Sequence, residues 1–112
     1  MNKKLDLTAL TMPELELTLP DHTALHVSVP DVGLMERIFS AGKEIRAVAN
    51  SQDAEAIKAL YSLAAEFLSE NREGLQLSAT DLRDKHRVKF IHLILIFNSY
   101  LDFIGGIQSA KN

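Results

Sequence analysis

Glu14-Leu15-Glu16-Leu17-Thr18-Leu19-Pro20-Asp21-His22-Thr23-Ala24-Leu25-His26-Val27-Ser28-Val29 decides the fold, because its apolar residues recur at every second position, first Leu15, Leu17 and Leu19, then Leu25, Val27 and Val29. Successive side chains of a strand point to opposite faces, so this period predicts two strands with one buried face each. Pro20-Asp21-His22 supplies the turn, since proline presets φ and aspartate bonds the backbone two residues on. The expectation is a β-hairpin over 14–29. An isolated hairpin is marginal in water, so it must pack on the rest of the chain. Lys4 to Leu10 alternates as well, with Leu5 and Leu7 on one side, either as a frayed extension or as a strand that forms only with a partner. Residues 1–13 are therefore read as a flexible N-terminal segment.

Downstream the period becomes helical. Pro30 ends the second strand and Asp31 is a good N-cap, so a helix is expected from about 32 to 49 with Leu34, Met35, Ile38, Phe39, Ile45 and Val48 on one side and Gly42 as its weak point. After Asn50-Ser51-Gln52-Asp53, where Ser51 or Asp53 can cap, Ile57, Leu60, Tyr61, Ala64, Phe67 and Leu68 mark a second helix over 54–72, stopped by Gly74. Ser78-Ala79-Thr80-Asp81 sets a capping hydroxyl three residues before a carboxylate and predicts a short helix over 79–85. The last helix, 88–106, is apolar on every side and must be covered on every side, by its own domain or by another chain. Gly105-Gly106 is expected to close it, leaving 108–112 as a loose tail. The fold class is α+β, mostly α: an N-terminal hairpin and a bundle of three to four helices, with the helical body at 31–107, in one domain spanning 1–112.

Composition narrows the function classes. The chain has 112 residues, room for one core. Twelve Lys and Arg against fifteen Asp and Glu give a charge of −3, which offers no overall attraction to nucleic acid or an anionic membrane. There is no cysteine, which removes disulfides, thiolate zinc sites and cysteine nucleophiles. Met1-Asn2-Lys3-Lys4 is positive like the start of a signal peptide, but Asp6 and Thr8 interrupt the apolar segment that should follow, and secretion is not expected. Phe90 to Ile107 is about the minimum length for a membrane span and carries His92, Asn98 and Asp102, so a buried helix is the better reading.

Candidate chemistry is sparse. His22 and His26 stand four apart, yet one falls in the turn and the other on a strand's polar side, with no obvious third ligand; no metal is expected. His86 and His92 share no helix face. Glu14 with Glu16 and Asp81 with Asp84 are paired carboxylates without a buried base to tune them. The hydroxyls Ser40, Ser62, Ser69, Ser78 and Ser99 sit in no nucleophile elbow, and no phosphate-cradling glycine loop is present. No catalytic residue and no cofactor are assigned. Arg83, Lys85, Arg87 and Lys89, with His86, form the single basic cluster. Phe97, Tyr100, Phe103 and Ile104 repeat along the last helix, as core or as aromatic anchors of a binding surface.

Three stretches resemble the tail assembly chaperones of long-tailed bacteriophages: Leu19-Pro20-Asp21-His22-Thr23-Ala24-Leu25-His26-Val27; the region Ala56 to Leu82 with Leu68-Ser69-Glu70-Asn71-Arg72-Glu73-Gly74 and Ser78-Ala79-Thr80-Asp81-Leu82; and Ile96-Phe97-Asn98-Ser99-Tyr100-Leu101-Asp102-Phe103-Ile104. The likeness lies in order, spacing and the closing Tyr-x-x-Phe-Ile. In the hairpin turn, Asp21-His22-Thr23 stands where family members commonly carry glycine. The resemblance implies a non-enzymatic protein of the host cytoplasm that binds and solubilises the tape-measure protein during tail assembly. It also implies a longer form, made by ribosomal frameshifting, that recruits the tail tube protein. The partner surface expected first is Phe97, Tyr100, Phe103 and Ile104, with Phe39 and Tyr61 in reserve. Self-association stays open, and neither nucleic acid nor membrane is expected as a partner. The alternative is a small regulatory adaptor or antitoxin-like protein of mobile-element origin, binding an acidic partner or DNA through Arg83, Lys85, Arg87 and Lys89; a small hydrolase or metal-dependent enzyme is the weakest reading.

Overall fold

A computed structural model describes residues 5–9 and 12–109. Of the segments expected to be flexible, residues 1–4, 10, 11 and 110–112 lie outside the described residues. The architecture is α+β and mostly helical: strands β1 (Leu15–Thr18) and β2 (Ala24–Val27), helices α1 (Val32–Ser51) and α2 (Ala54–Leu68), a π-helical segment (Asp81–Lys85) and helix α3 (Phe90–Ser109), preceded by a 3-10 turn at Leu7–Ala9. β1 and β2 pair antiparallel with Leu15 opposite Val27, Glu16 opposite His26, Leu17 opposite Leu25 and Thr18 opposite Ala24. The hairpin expected from the period of two is thus present, and its buried face carries Leu19, Leu25 and Val27. His22 holds a φ of 73° in the turn, in the left-handed region that glycine adopts without strain.

The expected caps form. Asp31 accepts a 2.8 Å bond from the Leu34 N–H, and Asp53 accepts from Glu55 and Ala56. Ser78 and Asp81 bond reciprocally, the Asp81 N–H to the Ser78 hydroxyl and the Ser78 N–H to the Asp81 carboxylate. Helices α1, α2 and α3 touch one another pairwise and β2 packs on α2, so the hairpin lies against a three-helix bundle. Gly42, expected as a weak point of α1, marks a close approach: a Cβ there would stand 2.6 Å from Leu101 Cδ1 of α3.

Besides α1, which runs to Ser51 rather than 49, three boundaries differ from the sequence expectation, each for a physical reason. α2 ends at Leu68 rather than 72, because the next residues bond to β2: the Ser28 N–H donates to the Glu70 carbonyl at 2.8 Å and the Arg72 N–H to the His26 carbonyl at 2.9 Å. Asn71 secures this segment, its side chain bonding Leu68, Leu75 and the Leu75 N–H. α3 begins at Phe90 rather than 88, because the buried Val88 donates its N–H to the Leu82 carbonyl outside any helix. At its other end α3 passes through Gly105 and Gly106 to Ser109, so these glycines do not close it and residues 108 and 109 are helical rather than a loose tail.

The core corrects the expected partner surface. Phe97 and Tyr100 are fully buried, Ile104 is 1 % exposed and Tyr61 7 %. Tyr100 stacks on Phe67 with centroids 4.4 Å apart, and Phe97 meets Phe67 edge-on at 5.4 Å. Their neighbours on α2 and β2 cover them, as a domain with one small core must do with its largest rings. The Tyr100 hydroxyl donates to the Ser28 carbonyl at 2.8 Å and the Tyr61 hydroxyl to the Val88 carbonyl at 2.7 Å. Burial drives the Tyr100 phenol well above its usual range, reinforced by the Glu70 charge. Phe103 is half-buried and Phe39 lies at the margin of the surface.

Candidate functional site: a groove between the hairpin and the last helix

Once the aromatic series faces inward, the opposite side of α3 is left to solvent. Ile91, Leu95, Asn98 and Asp102 succeed one another at steps of four, three and four and are all exposed. Ile91 is 59 % and Leu95 56 % exposed, the two largest apolar exposures among the described side chains of α3. They stand one helical turn apart on one face.

Beside Leu95 runs a groove of about 250 Å³, walled by Leu17, Thr18, Leu19 and Pro20 of the hairpin and by His92, Leu95, Ile96 and Ser99 of α3. Its hairpin wall follows from the period of two, which puts Leu17 and Leu19 on the face toward the helices. Its helical wall follows from the steps of three and four that align His92, Leu95, Ile96 and Ser99. His92 accepts the Lys89 N–H at 2.9 Å and so closes the first turn of α3. The groove is therefore apolar, with hydroxyl and imidazole groups along it, and suits an apolar side chain from a partner rather than a charged one.

The basic cluster divides. Arg83, Lys85, Arg87 and Lys89 are exposed, as expected, and Arg83 pairs with Asp84 at 3.3 Å. His86 is not part of it: it is 3 % exposed and turned inward, where its Nδ1 lies 2.8 Å from Asp21 Oδ2 and 3.3 Å from the Thr23 hydroxyl. The charge run in the sequence carries no sign of this. The physical cause is that Leu82, His86 and Val88 line the inner side of the π-helical segment and the turn after it, while the cations between them point out. Burial pushes the Asp21 carboxyl up, but its bonds from Thr23 and His86 outweigh this and hold it below the usual carboxylate value. Asp21 and Thr23 address the same ring nitrogen, whereas a nucleophile–base–orienting relay needs the two opposite nitrogens. The cluster fastens the hairpin turn to the π-helical segment.

The other histidines are accounted for similarly. His22 is exposed in the turn, and His26 bonds Glu73 at 2.6 Å, with its N–H on the same carboxylate at 2.9 Å. These bonds hold Glu73 below its usual value. Among the described residues no group of three or more His, Asp or Glu is placed to hold a metal ion. A larger depression of about 480 Å³ lies between α2 and residues 79–83, with Lys58, Thr80 and Arg83 among the residues that line it. Among the described residues no helix is long and apolar enough to cross a membrane.

Comparison of the chain with known family models, curated proteins and solved structures finds no match in any of the three.

Proposed function

We propose that this protein is a non-enzymatic tail assembly chaperone that holds the tape-measure protein soluble in the host cytoplasm. The observation that carries this reading is the exposed pair Ile91 and Leu95 beside the apolar groove of the hairpin. A long helical client presents apolar residues at steps of three and four, and one such residue entering the groove while its neighbours cover Ile91 and Leu95 is helix-in-groove recognition. The likeness of the hairpin, the second helix and the closing Tyr-x-x-Phe-Ile to the chaperone family supplies the identity of the client. The partner surface is thereby moved from Phe97, Tyr100 and Ile104 to the other side of the same helix.

Co-expression with the tape-measure protein of the same genome tests the reading. The wild-type chain is expected to keep the client in the soluble fraction, and I91D/L95D to lose it while keeping its helical circular dichroism. Equal client solubility with the double variant rules the surface out.

The exposed set Arg83, Lys85, Arg87 and Lys89 favours a second reading, an adaptor for an acidic partner or DNA. Phosphate contacts weaken steeply between low and moderate salt, whereas apolar contacts persist. A partner released by moderate salt would select the adaptor.

A further inference from the structure

The outer edge of β1 is open. Opposite Glu16, the His26 N–H binds Glu73 and the His26 carbonyl accepts from Arg72, so both groups of His26 point away from β1. This is a non-hydrogen-bonded pair, and the N–H and C=O of Glu16 must likewise point away from β2. Thr18, two residues on, points the same way. None of these groups is bonded to a described residue. A few residues earlier in the chain stand Leu5 and Leu7, 83 % and 68 % exposed and spaced by two like Leu15 and Leu17.

We propose that the segment Leu5–Ala9 of a second copy of this chain adds to the open edge of β1, and that the two copies exchange these segments reciprocally. Charge selects the register. In antiparallel pairing, Thr8 opposite Glu16 and Asp6 opposite Thr18 bring Leu7 and Leu5 beside Leu17 and Leu19, at the hairpin wall of the groove. A shift of two in one direction sets Asp6 against Glu16, a like-charge pair. The opposite shift carries Asp6 past the strand end to Pro20, which has no N–H to give.

The selected register sets Met12 opposite Met12 of the second copy, which is a two-fold axis. Pairing in one half therefore entails pairing in the other, as an isologous dimer requires. It also sets Pro13 at an odd-numbered position, like Leu15 and Leu17, whose N–H groups do not enter this new ladder; the missing donor of Pro13 is not needed there. Five extended residues reach about 17 Å, enough to cover the four of β1. Return of the chain's own segment is disfavoured, because Pro13 biases Met12 toward extended backbone. The 3-10 turn at Leu7–Ala9, closed by Asp6 on the Thr8 N–H at 3.0 Å, must open, and it is exposed and short.

The inference does not rest on the chaperone reading, and its test contains no client. The chain has no cysteine, so T8C/E16C introduces the only two, both at exposed positions. Their Cα atoms would lie about 5.5 Å apart across the pair, within disulfide range. On mild oxidation at tens of micromolar, the expected product is a covalent dimer of twice 12.5 kDa with two bridges, by non-reducing gel and intact mass. A monomer with an internal bridge, or no bridge, overturns the proposal. Adding Thr18→Pro, which removes one outward N–H and no hairpin bond, is expected to cut the dimer yield more than tenfold with circular dichroism unchanged. An undiminished yield would place the contact elsewhere and overturn it.

Discussion

Replacing Tyr100 by alanine removes a ring that is fully buried, stacked on Phe67 at 4.4 Å and bonded through its hydroxyl to the Ser28 carbonyl. Aromatic-to-alanine changes in cores cost about 3–5 kcal/mol, and the lost hydrogen bond adds about 1 kcal/mol. At roughly 0.05–0.15 kcal/mol per residue, a chain of this length holds about 6–17 kcal/mol in all, so Tyr100→Ala removes about a quarter of it or more. Tyr100→Phe separates the two contributions: it keeps the ring and leaves the Ser28 carbonyl without its donor, for about 1–2 kcal/mol. Phe103→Ala, at a half-buried ring, is expected to cost less than Tyr100→Ala. Urea unfolding followed by circular dichroism at 222 nm measures all three. If Tyr100→Ala stays within 1 kcal/mol of wild type, the ring is not in the core and the corrected partner surface falls with it.

Three further outcomes follow from single residues. His22→Gly relieves a left-handed turn residue, gaining about 1 kcal/mol and raising the melting temperature by about 4 °C in a thermal scan. Asp31→Ala leaves the Leu34 N–H without its acceptor and should cost about 1 kcal/mol in the same scan. The Asp21 carboxyl lies below its ordinary value of 3.8 in the folded state. Its contribution to stability is complete above the unfolded value and is lost as pH falls through the folded one. In urea titrations Asp21→Asn should therefore flatten the fall in stability below about pH 4, and an unchanged slope would contradict the bonds that Asp21 accepts from Thr23 and His86.

Much of this fold was legible because local signals agreed with one another. The alternation of Leu15, Leu17, Leu25 and Val27, the turn at Pro20-Asp21, and the caps Asp31, Asp53 and Ser78 each required one structure and all were compatible. What escaped depended on tertiary partners. Nothing near Leu68 announces that Glu70 to Arg72 will leave the helix to bond with β2, some 40 residues away in sequence. The inward turn of His86 depends on Asp21, which a charge run read by itself does not reveal. The exposed apolar pair on α3 has a signal in the sequence: Asn98 and Asp102 mark the solvent side of the helix, and counting back by three and four from Asn98 reaches Leu95 and Ile91. The rings opposite them had to be core.

Titration of the purified chain with the tape-measure protein at low and high salt shows whether the apolar surface proposed at Ile91 and Leu95 holds a helical client. Saturable binding that persists or tightens as salt rises and is lost in I91D/L95D is expected. Binding that collapses with salt, or that survives the double variant unchanged, would contradict it.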